Sequence, residues 1–575
     1  MTAATVSTRR AMWDRLSSRA SGELDLLIVG GGINGAGIAR DAARRGLTVA
    51  VVEMNDLAFG TSSRSSKLIH GGLRYLEQYE VGLVFESVSE RRTLMDLAPH
   101  LVNPLGFLFP VYKESRRNLF VIKAGMWLYD GLSLFRSPKR HRTLTPADVE
   151  REEPALRRDG LKGAPLYFDC STDDARLTLE TALDAARAGA TIATWAKVER
   201  FVVEKGRVRG AIVRDELGGA WAEVRASAVI NATGPWADRT LAISHQHARG
   251  DEEPPAPIDA PRLLRTTKGV HVVVDRAKLP LNNAVVCFHP VDKRVLFAIP
   301  WGDRSYIGTT DTDDPNDPSL VHATREDVDY LLAASNAYFP AHALERADVI
   351  STWAGLRPLI DEGGGGANES QVSREHKIVV GQEGLITVAG GKLTTYRRMS
   401  AEVVDTAVRL LQLSGCLAGR DLAVPSTERA PLPGAEGWPD DDDVTKVAVR
   451  VEGASDGTIG RDVSLPLAES YGMRALEIAA LCASRRELAA PLVEGRPEIL
   501  AQIEFAAREE LAATVCDVLM RRTQVFYRDH DQGLGCAERV ADHLADVLGW
   551  DRAERDRELE RYRAEVALSR RWRKA

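Results

Sequence analysis

Apolar and polar positions fall into a regular order from Leu24 onward. An apolar run from Leu24 to Val29 ends in Gly30-Gly31-Gly32, a helical pattern of small residues through Ala36, Ala39, Ala42 and Ala43 stops at Gly46, and a second apolar run follows from Leu47 to Val52. Strand, helix and strand in that order predict a βαβ unit. Two later segments also run from an apolar strand into glycine, Val229 to Gly234 and Ile386 to Gly391. Their wide separation predicts a nucleotide-binding domain assembled from about residues 23–80, 165–240 and 345–405, interleaved with a substrate or cap domain of about 81–164 and 241–344. Residues 251–261 and 361–370 read as loops from their Pro, Gly and acidic content. Beyond Leu393 the pattern is helical to about residue 413; a Pro/Gly/Asp-rich linker from Pro425 to Asp443 and a helical tail then make up most of residues 406–575. Residues 1–22 read as a polar arm.

Composition narrows the function classes. The chain has 575 residues, 27% charged and 44% apolar, enough for two or three domains. A formal net charge of -7 and a pI near 6.0 argue against bulk nucleic-acid binding. Six cysteines are scattered without a C-x-x-C pair or zinc spacing, as expected of reduced thiols in the cytoplasm. The N-terminal residues lack the apolar core of a signal peptide, and no stretch is long and apolar enough to cross a bilayer. The expectation is a protein on the cytoplasmic side, with surface attachment still open.

Gly30-x-Gly32-x-x-Gly35 lies where a strand hands over to a helix, and Glu53 ends the next strand eighteen residues later. In a dinucleotide site the first glycine allows the tight turn, the second lets backbone approach a pyrophosphate and the third lets helix pack on strand, while the helix N-terminus attracts the anion. Glu53 is placed to accept hydrogen bonds from an adenosine ribose. The motif does not separate FAD from NAD. The segment from Thr61 to Tyr75, with many hydroxyls, Lys67, Gly71 and Gly72, suits a loop wrapping a flavin and its pyrophosphate; an ordinary Ser-rich surface loop is the alternative.

Taken together, GGGINGAG (Gly30 to Gly37), TSSRSSKLIHGGLRYLE (Thr61 to Glu77), NATGPW (Asn231 to Trp236), IGTTD (Ile307 to Asp311), GLRPL (Gly355 to Leu359) and GGKLTTYR (Gly390 to Arg397) closely resemble the aerobic, FAD-dependent glycerol-3-phosphate dehydrogenases. The resemblance runs from about residue 24 to 405, and the tail, including VCDVLMRRT from Val515 to Thr523, is similar to that family's C-terminal domain. It implies an α/β fold: a Rossmann-like FAD-binding domain, a discontinuous α+β substrate domain and a C-terminal all-α domain. It also implies oxidation of sn-glycerol 3-phosphate to dihydroxyacetone phosphate, electrons passing to a membrane quinone at an anionic lipid surface, with a homodimer as one option. No EF-hand pattern is present, so no calcium regulation is expected. The cofactor residues it implies are Gly30, Gly32, Asn34, Gly35, Glu53, Thr61, Ser62, Ser63, Ser66, Lys67, Leu68, Gly71, Gly72, Val198, Thr233, Gly234, Gly391, Lys392, Leu393 and Thr394.

A phosphomonoester needs cations arranged around it. The resemblance puts Arg74, Arg357 and Lys392 at the substrate face of the flavin; Arg74 and Arg357 are assigned to the substrate anion, with Tyr75, Lys268 and Asp311 beside them. Lys392, together with the helix end expected near Thr394, is also suited to the pyrimidine side of the flavin, where negative charge appears on reduction. The base that takes the substrate hydroxyl proton is assigned first to His271, with Asp311 and His70 behind it and a merely structural strand histidine as the alternative. Arg357 could orient the hydroxyl but is too basic to serve as a free base.

Residues 113–142 carry eight Lys/Arg against two acids, a local +6, around the apolar, aromatic stretch Leu119 to Phe135. That pattern suits an amphipathic segment lying in an anionic lipid interface, or else an inter-domain helix with solvated flanks. Two other functions stay open: an oxidase returning electrons to O2, or an amino-acid or hydroxy-acid oxidase of the same superfamily, and a non-enzymatic flavin redox sensor.

Overall fold

The computed structural model describes residues 8–18, 23–72, 80–115, 119–132, 139–249, 262–314, 316–361 and 375–574. Arg74 and Tyr75, both expected at the substrate, lie outside the described residues.

The chain opens with helix α1 (Arg9–Ser17), strand β1 (Leu24–Val29), helix α2 (Ile33–Arg44) and strand β2 (Val49–Val52). β1 pairs in parallel with β2 on one side and with the strand Trp221–Asn231 on the other, which in turn pairs in parallel with Ile386–Gly390. The register matches Val29 with Asn231 and Asn231 with Thr387. Three segments hundreds of residues apart therefore release their glycines at the same end of one sheet. The small face of α2 makes this possible: a Cβ on Gly35 would run into the carbonyl oxygen of Gly30.

Part of the expected polar arm folds. Thr8 caps α1 by accepting from the Ala11 N–H, and Met12, Trp13 and Leu16 are buried. Arg9, also buried, pairs with Asp215 at 2.5 Å.

A second, largely antiparallel sheet forms the cap. Its central strand Leu264–Asp275 pairs with Val349–Ile360 on one side and Arg304–Gly308 on the other. Further strands lead through Val295–Trp301, Ala284–Phe288 and Asn103–Leu108 to Leu161–Ser171 and Leu68–Ile69. Residues 165–171 and 349–360, expected in the nucleotide-binding part, are thus strands of this second sheet. Sequence alone could not separate them, because an apolar strand looks the same in either sheet.

Helices α3 (Val81–Leu97) and α4 (Leu119–Leu132) lie in the cap, and α4 packs against both α3 and the Leu161–Ser171 strand. From Val444 to Ser569 the chain is helical, with a single π-helical turn at Asp517–Arg522. Its apolar residues, including Val518, Phe526 and Tyr562, share one core with Val273, Tyr306 and Trp353 of the second sheet. Among the described residues no helix is long and apolar enough to cross a membrane. All six cysteines are free thiols, five of them buried.

Candidate active site

One cavity of about 1700 Å³ runs from the glycine ends of the first sheet to the face of the second. At its first end Gly30, Gly32, Asn34, Glu53, Thr61, Ser62, Val198, Thr233 and Gly234 line the wall. Gly30 has φ +109°, and a Cβ there would lie 2.5 Å from the Ala232 carbonyl oxygen. Ser62 Oγ accepts from the Ile33 N–H at 2.9 Å, tying the Ser-rich loop to the start of α2. Glu53 accepts from the Gly31 N–H at 2.6 Å and the Asn55 N–H at 2.9 Å. Burial pushes its carboxyl up, against the pull of those two N–H groups. A floor without side chains, the positive end of a helix and a half-buried carboxylate one strand away are the donor and acceptor set that a dinucleotide's pyrophosphate and ribose require, so the residues fit FAD.

The opposite end is made by side chains. Alternation along Leu264–Asp275 turns Gly269 and His271 toward the cavity and Lys268 to the other face. The Lys268 ammonium donates to Asp327 at 2.7 Å and does not line the cavity, so it is not a substrate ligand here. His271 Nε2 lies 2.9 Å from Ser66 Oγ, and its ring stacks on Trp353 with centroids 4.7 Å apart. Burial first, then the cations Arg357 and Lys67, hold the imidazole well below its ordinary pKa, so it is neutral. Arg357 donates to Thr309 Oγ1 at 2.9 Å and to Asp311 Oδ1 at 3.1 Å. Lys392, Leu393 and Thr394 follow Gly391 along the wall, and the helix Tyr396–Leu413 begins directly behind them. Ser66, Leu68, His70 and Gly72 complete this side.

Four residues expected at the cofactor stand behind the wall instead. Gly35 packs on Gly30. Ser63 is buried, and its carbonyl accepts from the Lys67 ammonium at 3.3 Å. Lys67 also donates to Asp174 at 2.6 Å, and the Gly71 N–H donates to Asp169 at 3.0 Å. Ser63, Lys67 and Gly71 hold the loop and Gly35 the turn beneath α2; none of the four lines the cavity. Sequence reasoning missed Arg64, Trp236 and Arg294, which do line it, and an aromatic lobe made by Phe107, Phe109, Tyr112, Tyr167 and Phe288. Trp236 stood inside a motif already singled out; the lobe comes from strands with no distinguishing signal. Ile122 and Met126 of α4 close the lobe from one side, while Phe120 and Trp127 of the same helix are 78% and 65% exposed.

Residues 25–397 match the FAD dependent oxidoreductase family, and residues 425–555 match the C-terminal domain of alpha-glycerophosphate oxidase. Glycerol-3-phosphate dehydrogenase 2 of Mycobacterium tuberculosis is 41% identical over 559 residues, 97% of this chain and 90% of that protein. Aerobic glycerol-3-phosphate dehydrogenase of Staphylococcus epidermidis is 38% identical, over 95% of this chain and 94% of its own length. The crystal structure of the glycerol-3-phosphate dehydrogenase from Bacillus halodurans complexed with FAD superposes with a TM-score of 0.77 at 32% identity, covering 98% of both chains. The chain is an FAD-dependent oxidoreductase and belongs to the glycerol-3-phosphate dehydrogenase family.

Proposed function

We propose that the protein oxidises sn-glycerol 3-phosphate to dihydroxyacetone phosphate and passes the electrons to a membrane quinone. The observation that carries the reading is the continuity of one cavity from the glycine floor to His271, Arg357 and Lys392. FAD supplies the hydride acceptor. His271, neutral and facing the cavity, takes the C2 hydroxyl proton as the hydride leaves. Arg357, oriented by Thr309 and Asp311, binds the anionic substrate and aligns that hydroxyl, with Arg74 and Tyr75 assigned to the phosphate. Lys392 and the start of the helix behind it would supply positive charge where a bound flavin gains negative charge on reduction. Anaerobic addition of sn-glycerol 3-phosphate to the yellow holoenzyme is expected to bleach its visible bands; unchanged bands would refute the substrate.

Membrane attachment is supported by the exposed large apolar side chains Val81 and Phe85 of α3 and Phe120 and Trp127 of α4, two helices that pack on each other. Phe120→Ser with Trp127→Ser is expected to release the protein from anionic vesicles. A second reading, an oxidase returning electrons to O2, is favoured by the match of residues 425–555 to an oxidase C-terminal domain. Stoichiometric hydrogen peroxide during turnover would establish it over the quinone.

A further inference from the structure

Two consecutive arginines of the C-terminal helices reach across to the nucleotide end of the cavity. The π-helical turn Asp517–Arg522 directs Arg521 Nε and Arg522 NH1 to the same oxygen of Asp56, at 2.5 and 2.6 Å, and Arg522 NH2 to the other oxygen at 2.9 Å. All three side chains are almost wholly inaccessible. Asp517 holds Arg521 at 2.8 Å and accepts from Trp195 Nε1 at 3.2 Å, and the Trp195 N–H donates to the Asn55 carbonyl at 2.8 Å. Burial alone would raise the Asp56 carboxyl, but Arg522 and Arg521 outweigh it and keep the group ionised.

Asp56 stands three residues after Glu53, on a loop folded back over the glycine floor. The Ala58 N–H donates to the Gly31 carbonyl at 3.1 Å, and the Gly31 N–H donates to Glu53. A Cβ on Gly31 would lie 2.8 Å from Glu53 Cβ and 2.9 Å from Leu57, so loop and floor are in direct contact. Anchoring Asp56 therefore fixes the Glu53 carboxylate and the pyrophosphate turn together. The π turn, which stands between the helix ending at Glu509 and the short helix beginning at Val525, brings two neighbouring guanidinium groups to one carboxylate.

We propose that the C-terminal helical region retains FAD: Arg521 and Arg522, acting through Asp56, are positioning residues that hold the ribose-binding carboxylate of Glu53 in place. The inference rests on the reading of Glu53 as the ribose ligand. The test is the rate at which gel-filtered holoenzyme releases FAD, followed by flavin fluorescence, alongside thermal unfolding. Asp56→Asn and Arg522→Gln are expected to release FAD at least about tenfold faster, as is Glu53→Gln. Arg496→Ala, which breaks contacts of the same helical region to Asp303 of the cap, is expected to release it at the wild-type rate. Should Asp56→Asn not fold, Arg521→Lys keeps the charge and loses the guanidinium fork, and a severalfold faster release is expected. Wild-type release from Asp56→Asn or Arg521→Lys, with Glu53→Gln accelerated, would overturn the clamp alone. Wild-type release from Glu53→Gln would overturn the ribose reading and the clamp with it. Equal acceleration in Arg496→Ala, tracking lost thermal stability, would reduce the arginines to ordinary interface contacts and overturn the proposal.

Discussion

The two ends of the cavity are built by opposite means. At the nucleotide end the floor is backbone: glycines at 30 and 32, a helix start and one carboxylate come from about two dozen consecutive residues, with Thr61, Ser62, Val198, Thr233 and Gly234 completing the wall. At the other end it is side chains: Ser66, His271, Arg357 and Lys392, brought together from strands and turns more than three hundred residues apart. A backbone site tolerates no added atom, while a side-chain site tolerates no loss of charge or orientation. The largest effects should therefore come from adding a methyl group at one end and removing a cation at the other.

Gly35→Val tests the first half of that contrast most severely. Its Cβ would meet the Gly30 carbonyl, forcing α2 off β1, and the purified protein should be colourless. A yellow Gly35→Val protein with normal FAD content would show that the turn can yield. For the other end, Arg357→Met should keep the flavin and slow its reduction by glycerol 3-phosphate about 10³-fold in stopped flow. Lys392→Met should slow the same step about 10²-fold while FAD release changes far less. Equal losses of FAD in all three variants would erase the distinction between the ends.

How much was legible in the sequence follows the same division. The glycine triplet, Glu53 and the three strand-to-glycine segments were readable because a backbone site leaves a local, spaced signature. The side-chain end was readable only in part. Lys268 and His271 stand three residues apart and both look suited to an anionic alcohol, but alternation puts them on opposite faces of one strand. Nothing local reveals which face meets the cavity; that depends on the helix Arg325–Tyr338, whose Asp327 claims the ammonium. Lys67 and Ser63 were misassigned for a related reason, since a Ser-rich loop must secure its own underside before it can face a ligand. The docked α1 was missed because its apolar residues are few and surrounded by charge.

Lys268→Met sharpens that point with a smaller effect. Removing one partner of a buried pair leaves Asp327 uncompensated, so the variant should lose about 3 kcal/mol in denaturant unfolding. Its flavin should still be reduced within about twofold of the wild-type rate. A hundredfold slower reduction at unchanged stability would return Lys268 to the substrate site.

The smallest expected effect is on the pH dependence of flavin reduction at saturating substrate. Burial, Arg357 and Lys67 hold the folded pKa of His271 well below 6.5, so the imidazole keeps its lone pair and the rate should show no inflection between about pH 8 and about pH 6. Stability carries the opposite signature. Between the depressed folded value and the ordinary unfolded one, the unfolded chain binds the extra proton, so His271 costs stability as pH falls below about 6.5 and nothing above it. His271→Gln, which cannot take that proton, should gain on the wild type in unfolding free energy as pH drops from about 7 to about 5, while reducing its flavin about 10²-fold more slowly at every pH. An inflection near 6.5 in the wild-type rate, absent from the variant, would mean that His271 meets solvent during turnover and that the cavity end built from side chains is open when it works.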